Sequence, residues 1–252
     1  MKYAVITGAS SGIGKEFAKK LDKQGYQLLL VARRKDRLLE LKNELKNAEI
    51  YVADLSREDK CYELFDMIKD KKLDLFINNA GFGDCGEFIE TDLEKEKQMI
   101  QLNIKALHIL MKLVLKKMVK EDDGSLLNVA SSAGLMPGGP YMSTYYATKS
   151  YVTSLTRGVA RELKEKGSHV YLGCLCPGPV HTEFNQVANV EFSLKGITPQ
   201  YCVDYTLKMM KRGKITIVPS GIMKAATTAA KIVPATLCVI LVAYQQKKKF
   251  YK

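Results

Sequence analysis

The first two dozen residues constrain the fold more than any other stretch. An apolar run, Tyr3-Ala4-Val5-Ile6, leads into Thr7-Gly8-Ala9-Ser10-Ser11-Gly12-Ile13-Gly14 and at once into a helical pattern that ends near residue 24. A strand that turns on glycines straight into a helix brings the free N–H groups of the helix start to the end of the strand, where an anion is favoured. Gly8 permits the tight turn, Gly12 lets the backbone approach a pyrophosphate, and Gly14 lets the helix pack on the strand. Ser10, Ser11 and Ile13 complete the loop and are candidate contacts to the same ligand. The spacing G-x-x-x-G-x-G departs from the dinucleotide fingerprint G-x-G-x-x-G, which predicts a dinucleotide site of a different subtype.

The rest of the chain continues the alternation. Short apolar runs at 3–7, 27–32, 49–53, 73–78, 124–129, 169–176 and 214–218 read as strands, and amphipathic stretches at 13–24, 37–46, 57–69, 96–120 and 144–166 read as helices. This predicts an α/β fold: a parallel sheet of seven strands covered by helices on both faces, in three layers. A chain of 252 residues, 46% hydrophobic, can build one such domain, expected over 1–222, and is not disordered. No repeat or linker interrupts it. Residues 223–252 are expected to form a helical extension packed on the domain or at an interface.

A net charge of +12, from 39 Lys and Arg against 27 Asp and Glu, favours anionic ligands or surfaces. Nucleic acid is not the expected partner, because the basic residues spread over predicted helix faces, cluster mainly at the chain end and carry no nucleic-acid-binding signature. Cys61, Cys85, Cys174, Cys176, Cys202 and Cys238 form no C-x-x-C pair and have no histidine at metal-ligand spacing. Reduced, buried thiols and no metal site are expected. The chain enters a strand at residue 3, which leaves no room for a signal peptide and predicts a cytoplasmic protein.

Ligands of such sheets bind beyond the carboxyl ends of the strands. After the second strand, where a carboxylate would bond a ribose 2′-hydroxyl, stand Arg33 and Arg34. A guanidinium grips a 2′-phosphate bidentately, so NADP(H) is expected over NAD. After the third strand, Asp54-Leu55 offers a carboxylate to an adenine amino group. After the fourth, Asn78-Asn79-Ala80-Gly81 combines amides with a glycine where backbone runs close to a ligand. Farther on, Tyr145 and Lys149 share one face of a helix and set an ammonium beside a phenol. Such a charge favours the phenolate and draws a tyrosine, ordinarily near pH ~10, toward neutrality. Tyr146 points about 100° around the helix and reads as packing.

In this order the motifs resemble the classical short-chain dehydrogenase/reductase (SDR) family over about residues 1–220. They are the glycine loop from Thr7 to Gly14, Asp54, Asn78-Asn79-Ala80-Gly81, Asn103, Asn128-Val129-Ala130-Ser131, Tyr145-x-x-x-Lys149 and Pro177-Gly178-Pro179-Val180-His181-Thr182. The resemblance implies a Rossmann-like, doubly wound fold, hydride exchange between a nicotinamide and a carbonyl or alcohol, and a dimer or tetramer. It implies that Ser131 holds the carbonyl, that Tyr145 exchanges the proton, and that Lys149 lowers the tyrosine pKa and bonds the nicotinamide ribose. Asn103, inside a long helix, would hold a water in a relay to Lys149, and Pro177, Gly178, Val180 and Thr182 would meet the carboxamide. Two rules disagree over the serine. Family spacing to the tyrosine selects Ser132, whereas the Asn-x-x-Ser-x-Ala-Gly pattern selects Ser131, which we favour because the loop Pro137-Gly138-Gly139-Pro140 can absorb one residue.

By the same resemblance residues 183–200 would cover the substrate, with Phe184, Val187, Val190, Phe192 and Leu194 as an apolar lid, and 134–142 would form the opposite wall. A hydrophobic ketone, aldehyde or 3-oxoacyl group is the expected substrate. In the extension, the apolar run 235–244 is too short to span a bilayer. A packed helix is expected there, and an interfacial helix whose basic end touches anionic lipid is the alternative. The extension would replace the strand-edge contact of family tetramers and leave a homodimer paired through the helices around Asn103 and Tyr145. A soluble NADPH-dependent carbonyl reductase is the leading function. A membrane-associated lipid or 3-oxoacyl reductase and a catalytically idle NADP(H)-binding protein follow, the last disfavoured because a pure binder has no use for Ser131, Tyr145 and Lys149 together.

Overall fold

In a computed structural model, which describes residues 2–184, 188 and 196–250, the first strand β1 (Lys2–Thr7) is buried on both faces. Tyr3 and Val5 enter one apolar layer and Ala4 and Ile6 the other, which is why the strand reads as an unbroken apolar run. The pattern recurs in β2 (Tyr26–Ala32), β4 (Leu75–Asn78), β5 (Ser125–Val129) and β6 (Tyr171–Leu175), and the edges are β3 (Ala48–Val52) and a short β7 (Thr216–Ile217). All pairings are parallel, in the order β3-β2-β1-β4-β5-β6-β7. The order reverses between β1 and β4, so a crevice opens beyond their carboxyl ends.

Helices cover both faces. On one lie α3 (Glu58–Ile68), α5 (Leu107–Glu121) and α6 (Ser143–Glu165), whose Leu64, Ile68, Leu110, Val114 and Leu163 pack on Val5, Phe76 and Leu126. On the other lie α1 (Gly12–Lys23), α2 (Lys35–Glu44) and α7 (Pro199–Lys211), which set Phe17, Leu21, Leu38 and Val203 against Ile6, Leu30 and Ile77. The seven-stranded, three-layered Rossmann-like sheet is therefore as expected. All six cysteines are buried and unpaired by disulfides.

Two elements differ from the sequence expectation, and the extension, helical as expected, is divided in two. The stretch 96–120 is not one regular helix: α4 (Leu93–Ile100), started by Asp92 accepting from the Glu94 and Lys95 N–H groups, passes through a wide π-helical segment, Gln101–Ala106, before α5 begins. Helix α7 was not foreseen. Its start is written locally, since Thr198 Oγ1 accepts from the Tyr201 N–H and Pro199 takes the first turn, where no amide donor is needed. The extension forms two helices, α8 (Gly221–Ala229) and α9 (Ala235–Phe250), separated at Pro234, which supplies no amide donor. Among the described residues no helix is long and apolar enough to cross a membrane.

Candidate active site

The glycine turn sits at the carboxyl end of β1. Gly8 and Gly12 take positive φ of 66° and 55°, and Ser11 precedes α1 without capping it by its side chain, so the first N–H groups of the helix face the crevice. Gly14 packs not on the strand itself but on the turn: a Cβ there would lie 2.3 Å from the Gly8 carbonyl oxygen and 2.6 Å from Asn79 Nδ2. Asn79 holds this arrangement by donating to the Thr7 and Gly8 carbonyls at 2.9 and 3.2 Å, while the Thr7 hydroxyl accepts from the Asn79 and Ala80 N–H groups. The Asn79 amide N–H groups thus brace the loop instead of presenting themselves to a ligand.

At the far end of the crevice, Arg34 donates to Ser10 Oγ at 3.2 Å and to Glu183 at 2.9 Å, and Arg37 donates to the other Glu183 oxygen at 3.1 Å. These two guanidinium groups hold the Glu183 carboxyl below its ordinary pKa. Arg33 Nη1 stands 3.8 Å from Asp54 Oδ2, beyond hydrogen-bond distance. Asp54, expected to offer its carboxylate to an adenine amino group, borders the crevice, and its Oδ1 accepts from the Ser56 N–H and hydroxyl at 3.0 and 2.8 Å and so shapes the turn into α3.

Nearer the middle of the sheet, Ser131, Tyr145 and Lys149 meet, all buried. Ser131 ends the segment after β5, where its Oγ accepts from the Ala133 N–H, and it borders the cavity together with Tyr145. Ser132 opens the following 3-10 turn, Ser132–Leu135, with its N–H donating to the Pro177 carbonyl at 2.8 Å. Lys149 Nζ donates to the Val129 carbonyl at 3.0 Å and lies 5.9 Å from the centre of the Tyr145 ring. Its effect on the phenol departs from expectation. Burial pushes Tyr145 up to about 12, opposed by the neighbouring Ser131 side chain, and burial brings Lys149 down to about 8. Desolvation outweighs the helical-spacing argument for both groups.

Asn103 lies in the π-helical segment and is fully buried. Its Oδ1 accepts from the Phe82 N–H at 3.1 Å, and its Nδ2 donates to the Phe82 carbonyl at 2.8 Å and to Thr148 Oγ1 at 3.1 Å. The wide turn directs the amide inward, toward the loop after β4. A Cβ at Gly81 would come within 2.8 Å of Asn103 Oδ1 and 3.3 Å of Lys149 Nζ, so only bare backbone fits there.

One cavity of about 410 Å³ joins these groups, running from Gly8, Ser10–Ile13, Arg33, Arg34 and Asp54–Leu55 past Ala80 and Gly81 to Ser131, Tyr145 and Lys149. Pro177, Gly178, Val180 and Thr182 border it as well. Val180 pairs with Ile197 in an isolated parallel bridge, and Thr182 packs where a Cβ on Gly12 would point. The Phe184 ring lies tilted against that of Tyr145 with centres 5.4 Å apart, whereas Val187, Val190, Phe192 and Leu194 lie outside the described residues. Tyr146 is not mere packing. It lines the cavity, and its hydroxyl accepts from Gln246 Nε2 at 2.8 Å. Gln246, Gln245 and Met223 bring the extension over the cavity as a roof that no local pattern announced, because they lie far beyond Tyr146 in the chain, Gln246 by 100 residues, and carry no motif. Gln246 Oε1 is buried there without a hydrogen-bond partner.

A glycine-turn anion cradle whose groove ends on a buried serine, tyrosine and lysine is the arrangement of a dinucleotide-dependent α/β oxidoreductase. Over residues 2–191 the chain matches the family model described as short chain dehydrogenase, and it belongs to that family. It is 34% identical over 194 residues to a Bos taurus protein named dehydrogenase/reductase SDR family member 11, covering 73% of this chain and 76% of the relative. A short-chain dehydrogenase from Sphingobium yanoikuyae in complex with NADPH superposes with a TM-score of 0.82 at 31% identity, over 92% of each chain. A short chain dehydrogenase/reductase from Burkholderia phymatum in complex with NAD reaches the same TM-score, 0.82, at 23% identity over 90% of this chain and 92% of its own, a likeness of fold. The protein is thus an SDR oxidoreductase whose fold serves a nicotinamide dinucleotide, and the bare glycine turn, the uncapped α1 and the close backbone at Gly81 fit such a group.

Proposed function

We propose that the protein reduces a hydrophobic ketone, aldehyde or 3-oxoacyl compound with NADPH, or runs the reverse oxidation. The observation that carries this is the single cavity in which the glycine turn, Arg33 and Arg34 open directly onto Ser131, Tyr145 and Lys149. A pyrophosphate would rest on Gly8–Gly14 and the start of α1, a 2′-phosphate on Arg33 with Arg34, and the carboxamide on Val180 and Thr182. The nicotinamide supplies or takes up the hydride. Ser131, on the cavity wall beside Tyr145, would hold the substrate oxygen, and Tyr145, its phenol kept protonated by burial, would give its proton to the developing alkoxide. Lys149 would leave the Val129 carbonyl to engage the ribose, and Asn103 would hold the relay that restores the proton. The apolar walls, Met142, Phe184 and Met223, favour a hydrophobic substrate. The working unit is a homodimer.

The test follows NADPH absorbance against a panel of ketones, aldehydes and 3-oxoacyl thioesters. Tyr145→Phe should lower turnover by about 10²–10⁴-fold with the nucleotide still bound; turnover that survives the change refutes the proton-donor role. Arg33→Asp should weaken NADPH much more than NADH, and a wild-type preference for NADH would overturn the role given to Arg33.

A further inference from the structure

The extension has two faces, of which the active site uses one. On the inner side of α9, Cys238, Val242 and Gln246 recur every four residues and are buried, and Val239 packs where a Cβ on Gly138 would point. On the outer side, Leu237, Ile240 and Leu241 are 53%, 58% and 64% exposed, with Tyr244 exposed beside them. A helix apolar all round belongs in an interior, yet the domain covers α9 on one side. Helix α8 repeats the arrangement: Met223 and Thr227 face inward, while Ile222, Ala225, Ala226 and Ala229 share an exposed face. Between the two helices Ile232 is 84% exposed.

Charge indicates what covers these faces. After Asp204 the chain contains ten lysines and arginines and no carboxylate side chain. Three of the lysines, Lys247 to Lys249, follow the apolar stretch of α9 after Gln245 and Gln246, and Lys224 and Lys231 belong to α8 and the connection. A second copy of this chain would bring two such segments together, positive against positive. An anionic bilayer meets both properties, because apolar side chains enter the acyl boundary while lysines remain among the phosphates.

We propose that the two helices α8 and α9 seat the protein on an anionic lipid bilayer by their outer faces, without spanning it. The inner face of the same helices roofs the cavity, so the roof lies between the bilayer and the substrate site. The docking itself does not depend on the reaction assigned to that site.

Flotation of the full-length protein with phosphatidylcholine vesicles, with and without about one third phosphatidylglycerol, tests the proposal. At low salt the protein should float with the mixed vesicles, remain behind with pure phosphatidylcholine, and be largely released at high salt as the charges are screened. The double variant Ile240→Glu with Leu241→Glu, both positions outside the cavity lining, should lose about tenfold or more in vesicle partitioning. Its circular dichroism and melting temperature should remain those of the wild type, and Leu237→Glu alone serves as the second variant should the double one unfold. Failure of the wild type to float, equal binding to neutral vesicles, or equal flotation of the variants overturns the proposal. So does sedimentation in which these substitutions dissociate an oligomer, which would make the face a contact between copies.

Discussion

Lys149 shows how burial sets the chemistry of one residue. Its ammonium is held inside the fold by the Val129 carbonyl, and desolvation brings it down to about 8 against an ordinary 10.5. Holding the charge there costs about 3 kcal/mol at roughly 1.4 kcal/mol per pH unit. The sign follows from proton counting. Between about pH 8 and 10.5 the unfolded chain keeps a proton that the folded protein has released, so this group's contribution to stability rises with pH across that window, and below pH 8 the full penalty stands. Lys149→Met should therefore raise the melting temperature at pH 7, with the gain fading toward pH 10; a lower melting temperature at pH 7 would contradict the burial cost. Wild-type affinity for NADPH, measured by fluorescence titration, should be flat below about pH 8 and weaken above it as the ammonium is lost, whereas the variant should bind weakly at every pH. The Tyr145–Lys149 spacing was legible in the chain. The direction of the tyrosine's shift was not, since it depends on burial created by residues remote in sequence.

At the scale of elements, the site is a contact between the 3-10 turn Ser132–Leu135 and helix α6. Gly134 makes that contact: a Cβ there would lie 2.3 Å from the Lys149 carbonyl oxygen and 2.7 Å from Thr153 Oγ1. Backbone cannot yield as a flexible side chain can, so Gly134→Ala should push the turn carrying Ser131 away from the helix carrying Tyr145. We expect a loss of about 1–3 kcal/mol in denaturant unfolding, together with reduced turnover at nearly unchanged nucleotide affinity. Unaltered stability and turnover would show that turn and helix are not rigidly coupled. The strands and most helices were readable because the apolar period is local. The π-helical segment was not, because its reason is the pair of hydrogen bonds Asn103 makes to Phe82 across 21 residues of chain. Helix α7 could have been read from Thr198-Pro199, a cap followed by a first-turn proline.

At the scale of the whole molecule, the extension turns away from the sheet edge and lies over the cavity, leaving β7 with two residues and Pro219 close behind. The surface expected to pair is that of α4, α5 and α6, where Ile100, Val119 and Tyr151 are exposed and His108 Nδ1 pairs with the Tyr151 hydroxyl at 2.8 Å. Sedimentation equilibrium should give twice the 28.2 kDa chain mass, and Tyr151→Glu should shift it toward monomer; a stable tetramer would count against pairing through these helices. The sheet, its layers, the glycine turn and the Tyr145–Lys149 pair could be read from the chain, because each is written in local periodicity or in a short motif. That Asn79 and Asp54 brace loops, that Arg34 and Arg37 hold Glu183, and that Gln246 roofs the cavity against Tyr146 emerged with the folded chain. Those pairings join residues far apart in the chain, and their energies depend on which groups the folded core removes from water.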